Sequence, residues 1–288
     1  MSRSGTTVLS EAEVGEAAYT ILGAEKAVVA MPPLSGVYPD FALADAYRIQ
    51  DRFNAEREQQ GLAFAGYKIG LTWQTTQLAC GLAEPICGRI LADAVHASGV
   101  TLQAARYINP HVEVELAFVM ASDVDVPLRT VDEVLAATDH VVPALELVDF
   151  RMAPPRSVAD TVADNSAFAG VVLSRHRLRP RDVDIRWMGA ILARNGIVEV
   201  SGVAAMGMGH PAFCVAWLAN TLLERGERLR AGDLVMSGAF AAALPAATGD
   251  CLEADFGPRG GAEDFFPMTR RSIVRARNIA AAPHSAIS

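Results

Sequence analysis

The run INPHVEVELAFVM, residues 108–120, sets Glu113 and Glu115 two positions apart among Val112, Val114 and Leu116. Strand residues two apart project to one face, so the apolar set lines one side and the glutamates share the other. A strand with one solvated face accommodates such a pair. In an apolar setting the same pair forces one carboxylate to take up a proton, unless a cation sits between the two. A second apolar run, VVPALELVDF at 141–150, encloses Glu146 between Leu145, Leu147 and Val148, with Asp149 close by. Three carboxylates on apolar strands form a hard, oxygen-rich set. It suits Mg²⁺ or Mn²⁺ better than zinc, because no His or Cys ligand set accompanies it.

Lys68 lies between apolar neighbours in AGYKIGLT. An ammonium there requires an anionic partner or a catalytic use. Burial and a nearby metal are both expected to lower its pKa, which would let it hold a substrate carboxylate or move a proton. The run DTVADNSAFAG carries Asp160, Asp164 and Asn165 as turn formers; local backbone bonding accounts for one or two of them, and Asn165 remains a candidate for shaping a site. His210 precedes Pro211, a favoured first helical position, and reads as a capping histidine.

The 288 residues are 51% hydrophobic, enough for a substantial core. A formal charge of −8 argues against nucleic acid as a partner, since a phosphate groove needs clustered cations. No GxSxG elbow and no phosphate-loop glycine spacing occurs. Cys80, Cys87, Cys214 and Cys251 form no CxxC pair, which points to reduced thiols. Charges interrupt the N-terminal stretch, and no run is long and apolar enough to cross a bilayer, so a cytoplasmic, membrane-free protein is expected.

Spacing predicts helices over residues 10–26 and 42–60, the second stopped by Gly61, a third after a Thr130–Glu133 capping box, and a fourth from Pro211 to near Gly226. Short β runs fill the interval from Gly66 onward. The reading is α+β: a mostly helical segment at 1–65, a β-rich body at 66–266 and a C-terminal extension at 267–288. The extension carries Arg270, Arg271, Arg275 and Arg277.

GYKIGLT, INPHVEVELAFVM, ATDHVVPALELVDFR, DTVADNSAFAGVVLS, RNGIVEVSGVAAMGMGHPAFCVAWLANTL and AGDLVMSGAF with LPAATGD and ADFGPRG occur in that order. Together they resemble the hydratase/decarboxylase branch of the fumarylacetoacetate hydrolase superfamily, over residues 33–260. The resemblance implies that superfamily's β-rich catalytic fold with a helical N-terminal segment, a homo-oligomer, and a lyase acting on small 2-oxo or 2-hydroxy-dienoic acids. It assigns the Mg²⁺ or Mn²⁺ ligands to Glu113, Glu115 and Glu146 and the active-site lysine to Lys68. Asn165, Ser237 and Gly238 fall in its substrate-binding stretches.

Two departures bear on the reaction. The hydratases resembled here read EPD[YF]G where this chain has EPICG at residues 84–88, so Ile86 replaces an aspartate that assists proton transfer, and Glu84 becomes a candidate acid–base group. Where they read SGSFTRPVPA, residues 237–246 are SGAFAAALPA, and Ala241 and Ala242 replace a hydroxyl and a guanidinium. Hydration needs positioned proton carriers, whereas decarboxylation chiefly needs an electron sink. The DTVADN and VDIRWMGAILARNG runs favour the hydratase. A decarboxylase, a biosynthetic relative with other enolate chemistry, and a non-catalytic scaffold stand as alternatives.

Overall fold

The computed structural model describes residues 8–257 and the backbone of 264–269. The remainder of the predicted C-terminal extension, with its four arginines, lies outside the described residues. Helix α1 (Glu11–Ala27) begins at Ser10, whose hydroxyl and Glu13 form a capping box. Helix α2 (Leu43–Gln59) buries Ala46, Ile49 and Phe53 on one face, and Gly61 follows with φ 86°.

The body then runs β1 (Phe64–Gly70), α3 (Gln74–Ala79), β2 (Ile86–Leu91), β3 (Val95–Ala97), β4 (Leu102–Gln103), β5 (Pro110–Met120), α4 (Val131–Ala136), β6 (Thr138–Asp149), α5 (Val158–Ala163) and β7 (Phe168–Leu173). After these come β8 (Gly189–Arg194), β9 (Ile197–Val203), α6 (Pro211–Glu224), β10 (Leu234–Met236), β11 (Leu244–Pro245), β12 (Cys251–Asp255) and β13 (Asp264–Thr269). Thr130 and Glu133 cap α4 as a box, and His210 caps α6 by accepting from the Ala212 N–H. The backbone of β13 pairs with β12 and β4, so the sheet continues past residue 266, where the body was expected to end.

A curled sheet holds the strands in the order β2-β1-β10-β5-β6-β7-β3, with β11 on the flank of β5, and a second sheet has the order β4-β13-β12-β8-β9. Strand β10, late in the sequence, lies parallel to β1 and antiparallel to β5 and so joins the two strands of interest. Val112, Val114, Leu116, Leu145 and Leu147 enter one large core that also takes in Val14, Ile21, Ile49 and Phe53 of the first two helices. The helical segment therefore shares its core with the body and is not a separate unit. The opposite face carries a smaller cluster that includes Ile90, Ala117, Val142, Ala144 and Met236. No helix among the described residues is long and apolar enough to cross a membrane.

Buried charges clamp the first helix to the body. Arg151 donates to Asp164 Oδ1 at 2.8 Å, to Glu25 Oε1 at 2.8 Å and to the Phe168 carbonyl at 2.9 Å, and Arg57 pairs with the same Glu25 oxygen. Burial opposes the Glu25 charge, but Arg151 and Arg57 overcome it and hold the carboxyl at about 2. Removing Arg151 would leave Asp164 buried and unpaired. Arg151→Ala is expected to lower the unfolding free energy by about 3–5 kcal/mol in denaturant titration; a loss below about 1 kcal/mol would show that the clamp is dispensable.

Candidate metal centre

Strand register brings the acidic residues together. Glu113 on β5 lies directly opposite Glu146 on β6, and Glu115 lies opposite Ala144. Cross-strand partners share a face, so all three glutamates project from the same side of the sheet. Lys68 on β1 is opposite Met236 on β10, which is opposite Ala117 on β5. That row places Lys68 on the glutamates' face. One carboxylate oxygen from each glutamate lies within 4.8 Å of the other two, and Lys68 Nζ is 3.2 Å from Glu146 Oε1.

The four side chains are withdrawn from water: Lys68 is 4% exposed, Glu115 1% and Glu146 0%, while Glu113 is half-buried at a cavity wall. Three carboxylates and one ammonium leave a formal charge of −2, which a divalent cation would neutralise. Apart from the Lys68 ammonium facing Oε1, no hydrogen-bond donor among the described residues satisfies the Glu146 oxygens. Orphaned lone pairs beside two further carboxylates are what oxygen ligation of a hard cation uses, so the residues fit Mg²⁺ or Mn²⁺.

Burial pushes the Glu146 carboxyl up to about 7 against the pull of Lys68, and it also raises Glu113. Glu115 is driven well above the ordinary range by burial and by its two acidic neighbours, although the Gly238 N–H donates to its Oε2 at 2.9 Å. Lys68 departs from the sequence expectation. Burial lowers its pKa, but Glu146, Glu113 and Glu115 together outweigh burial and the net direction is upward.

A strained turn aims Lys68. Asn165, Ser166 and Ala167 all have φ between 50° and 58°, a left-handed stretch without glycine. It presents the Ser166 carbonyl to Lys68 Nζ at 3.1 Å, while the Ser166 hydroxyl donates to the Cys87 carbonyl at 2.8 Å. The Asn165 amide accepts from Arg89 N and donates to Arg89 O, both at 2.8 Å. A Cβ at Gly88 would meet the Asn165 carbonyl oxygen at 2.4 Å, so that glycine permits the contact. Asn165, expected to bind substrate, gives its side-chain amide to the backbone of β2 and does not line the cavity beside the carboxylates. Ser166, which the sequence reading passed over, touches Lys68; its only advance signal was membership of the same turn-forming run.

Beside the carboxylates lies a cavity of about 240 Å³ lined by Lys68, Glu113, Thr72, Trp73, Ile86 and Ser166, among others. Ser237 and Gly238, expected to bind substrate, do not line it, although Gly238 packs on Thr72, which does. The Ser237 hydroxyl is buried without a partner, and Gly238, at φ 95°, packs so closely on Thr72 that a Cβ would fall 2.4 Å from its methyl. Glu84 does not line the cavity. It accepts from Trp217 Nε1 of α6 at 3.3 Å, so the proposed acid–base role at that position has no geometric support. Asp160 completes the Ser157 capping box of α5 and accepts from Ser35, and Asp164 pairs with Arg151, as local bonding of that run predicts for the first of them.

Comparison with known proteins agrees with this geometry. The fumarylacetoacetate (FAA) hydrolase C-terminal family matches residues 82–269. The 2-oxo-hept-4-ene-1,7-dioate hydratase of Escherichia coli is 39% identical over 244 residues, 82% of this chain and 91% of that protein. The 4-oxalocrotonate decarboxylase of Pseudomonas sp. (strain CF600) is 35% identical over 231 residues, 80% of this chain and 88% of that protein. Among solved structures, 4-oxalocrotonate decarboxylase from Pseudomonas putida G7, complexed with magnesium and adipate, superposes with a TM-score of 0.87 at 29% identity, covering 91% of this chain and all of that one. The α+β fold with its helical N-terminal segment, the ordered motifs and the extent of these matches lead to one assignment: the chain belongs to the fumarylacetoacetate hydrolase family.

Proposed function

We propose that the protein is a divalent-metal-dependent lyase of the hydratase type, adding water to 2-hydroxy-dienoates or their 2-oxo-enoate forms. The observation that carries this reading is the buried charge of −2 at Glu113, Glu115, Glu146 and Lys68, facing a cavity sized for a small acid. A cation held by the three glutamates would supply a Lewis acid for the 1-carboxylate and 2-oxygen of such a substrate. Lys68, with the Ser166 carbonyl fixing its ammonium, holds and moves the proton at the cavity wall. Trp73 donates from Nε1 to the Ala239 carbonyl at 2.6 Å and so fixes that part of the cavity wall.

Hydratases are the more numerous of the curated relatives, which favours water addition. One observation favours decarboxylation as a second reading: Ile86, at the position of the missing aspartate, lines the cavity and can carry no proton. Assembly as a homo-oligomer belongs to the same proposal. Ile197 and Val198, 70% and 53% exposed on the edge strand β9, supply apolar surface for it.

Product analysis by mass tests the reading. With Mg²⁺ present, a 2-hydroxy-2,4-dienoate is expected to gain one water, and Glu146→Gln is expected to reduce the rate at least about 100-fold. An unchanged ultraviolet absorbance of the dienoate would refute the hydratase assignment, loss of CO₂ from an oxalocrotonate in place of hydration would select the second reading, and the absence of both changes would refute the lyase assignment. A pH prediction follows from Glu146. Cation binding uses its charged form, so below about 7 the proton competes and affinity falls as pH drops. Calorimetric titration with Mg²⁺ is expected to show at least about a tenfold loss per pH unit below 7; equal affinity at pH 6 and pH 8 would contradict it.

A further inference from the structure

The cavity has two chemically different ends. Glu113 and Lys68 provide its charge, whereas Ala239, Ala241, Ala242 and Ala243 face it from the single loop between β10 and β11. Ile86, Val148 and Phe150 extend that apolar wall. The loop is fixed at both ends by β5, the strand that bears two of the glutamates. The Gly238 N–H donates to Glu115, the Phe240 N–H donates to the Val114 carbonyl at 3.1 Å, and Leu244 pairs with Val112. Trp73 holds its middle through the Ala239 carbonyl. The alanines are therefore a built surface at a set position relative to the carboxylates.

The wall offers an anion very little. Among the described residues lining the cavity, Lys68 is the only cation, and two of its three donors go to Glu146 and the Ser166 carbonyl at the carboxylate end. The donors of Trp73, Thr161 and Ser166 are already given to the carbonyls of Ala239, Ser157 and Cys87, and besides Glu113 the other polar side chains of the lining, Thr72 and Thr76, are neutral hydroxyls. Arg156 stacks on the Phe150 ring at 3.6 Å from its centroid and donates to the Met152 carbonyl, but it does not line the cavity. A carboxylate at the far end of a substrate would lose its water and meet neutral hydroxyls but no free cation among the described lining residues. An alkyl or alkenyl tail would lose nothing and bury apolar surface.

We infer that the substrate is a 2-oxo or 2-hydroxy monocarboxylic acid with an uncharged, apolar tail, selected against diacids by the alanine loop at residues 239–243. The inference rests on the lyase reading above and specifies the substrate class of that same site. It separates this chain from relatives whose names specify a dioate or an oxalocrotonate.

The test compares two unreactive saturated acids of equal carbon number, 2-oxohexanoate and 2-oxoadipate, by calorimetric titration of the Mg²⁺-loaded full-length protein. The monoacid is expected to bind at least about tenfold more tightly, and Ala242→Arg, which places a guanidinium at the exposed rim of the wall, is expected to raise 2-oxoadipate affinity at least about tenfold. Equal or tighter binding of 2-oxoadipate by the unaltered protein would overturn the inference while leaving the lyase reading intact. Mg²⁺-dependent binding of neither acid would overturn the lyase reading, and this inference with it. Because the comparison of the two acids is made on the unaltered protein, it decides the matter even if Ala242→Arg does not fold.

Discussion

Three carboxylates and a single ammonium share one buried face of the main sheet, and the resulting excess of negative charge governs the rest of the structure. Fully charged, the set cannot be stable in an apolar interior without compensation. Protonation is one remedy, and burial with the acidic neighbours favours it by raising the Glu115 and Glu146 carboxyls. A divalent cation is the other. It would satisfy the oxygens that lack hydrogen bonds and would neutralise the excess charge. The fold accepts the cost of concentrating these acids because β5, β6 and β1 are held by long ladders and by the large core on their opposite face.

The strained turn at residues 165–167 serves the same centre. Left-handed conformations in three successive residues with side chains persist only where surrounding bonds fix them. Here the Asn165 amide grips the backbone of β2, Gly88 leaves room for its carbonyl, and Arg151 anchors the preceding Asp164 to the first helix. The helical N-terminal segment is thereby connected to the position of Lys68. The chain from Glu25 through Arg151 and Asp164 to Ser166 gives that segment a reason to share the body's core.

Much of the centre could be read from sequence because strand periodicity is a local rule. Alternation in VEVEL puts Glu113 and Glu115 on one face, and the enclosed Glu146 and Lys68 stand out as charges among apolar neighbours. Helix ends were equally local, as the Thr130–Glu133 box and Gly61 show. What escaped was long-range. Nothing near residues 234–236 reveals that they insert between β1 and β5, and nothing near Glu84 reveals Trp217. The direction of the Lys68 shift also depends on how many acids converge on it, which register decides. The left-handed geometry of Ser166 and Ala167 carries no residue signal, because neither type favours it.

The central claim is that the three glutamates jointly hold one divalent ion. Anomalous diffraction from crystals grown with Mn²⁺ tests it most directly. The account predicts one strong anomalous peak among the carboxylates of Glu113, Glu115 and Glu146, with oxygens of all three bonded to it. A peak elsewhere on the molecule, or none at saturating Mn²⁺ with Lys68 alone still engaging Glu146, would contradict it.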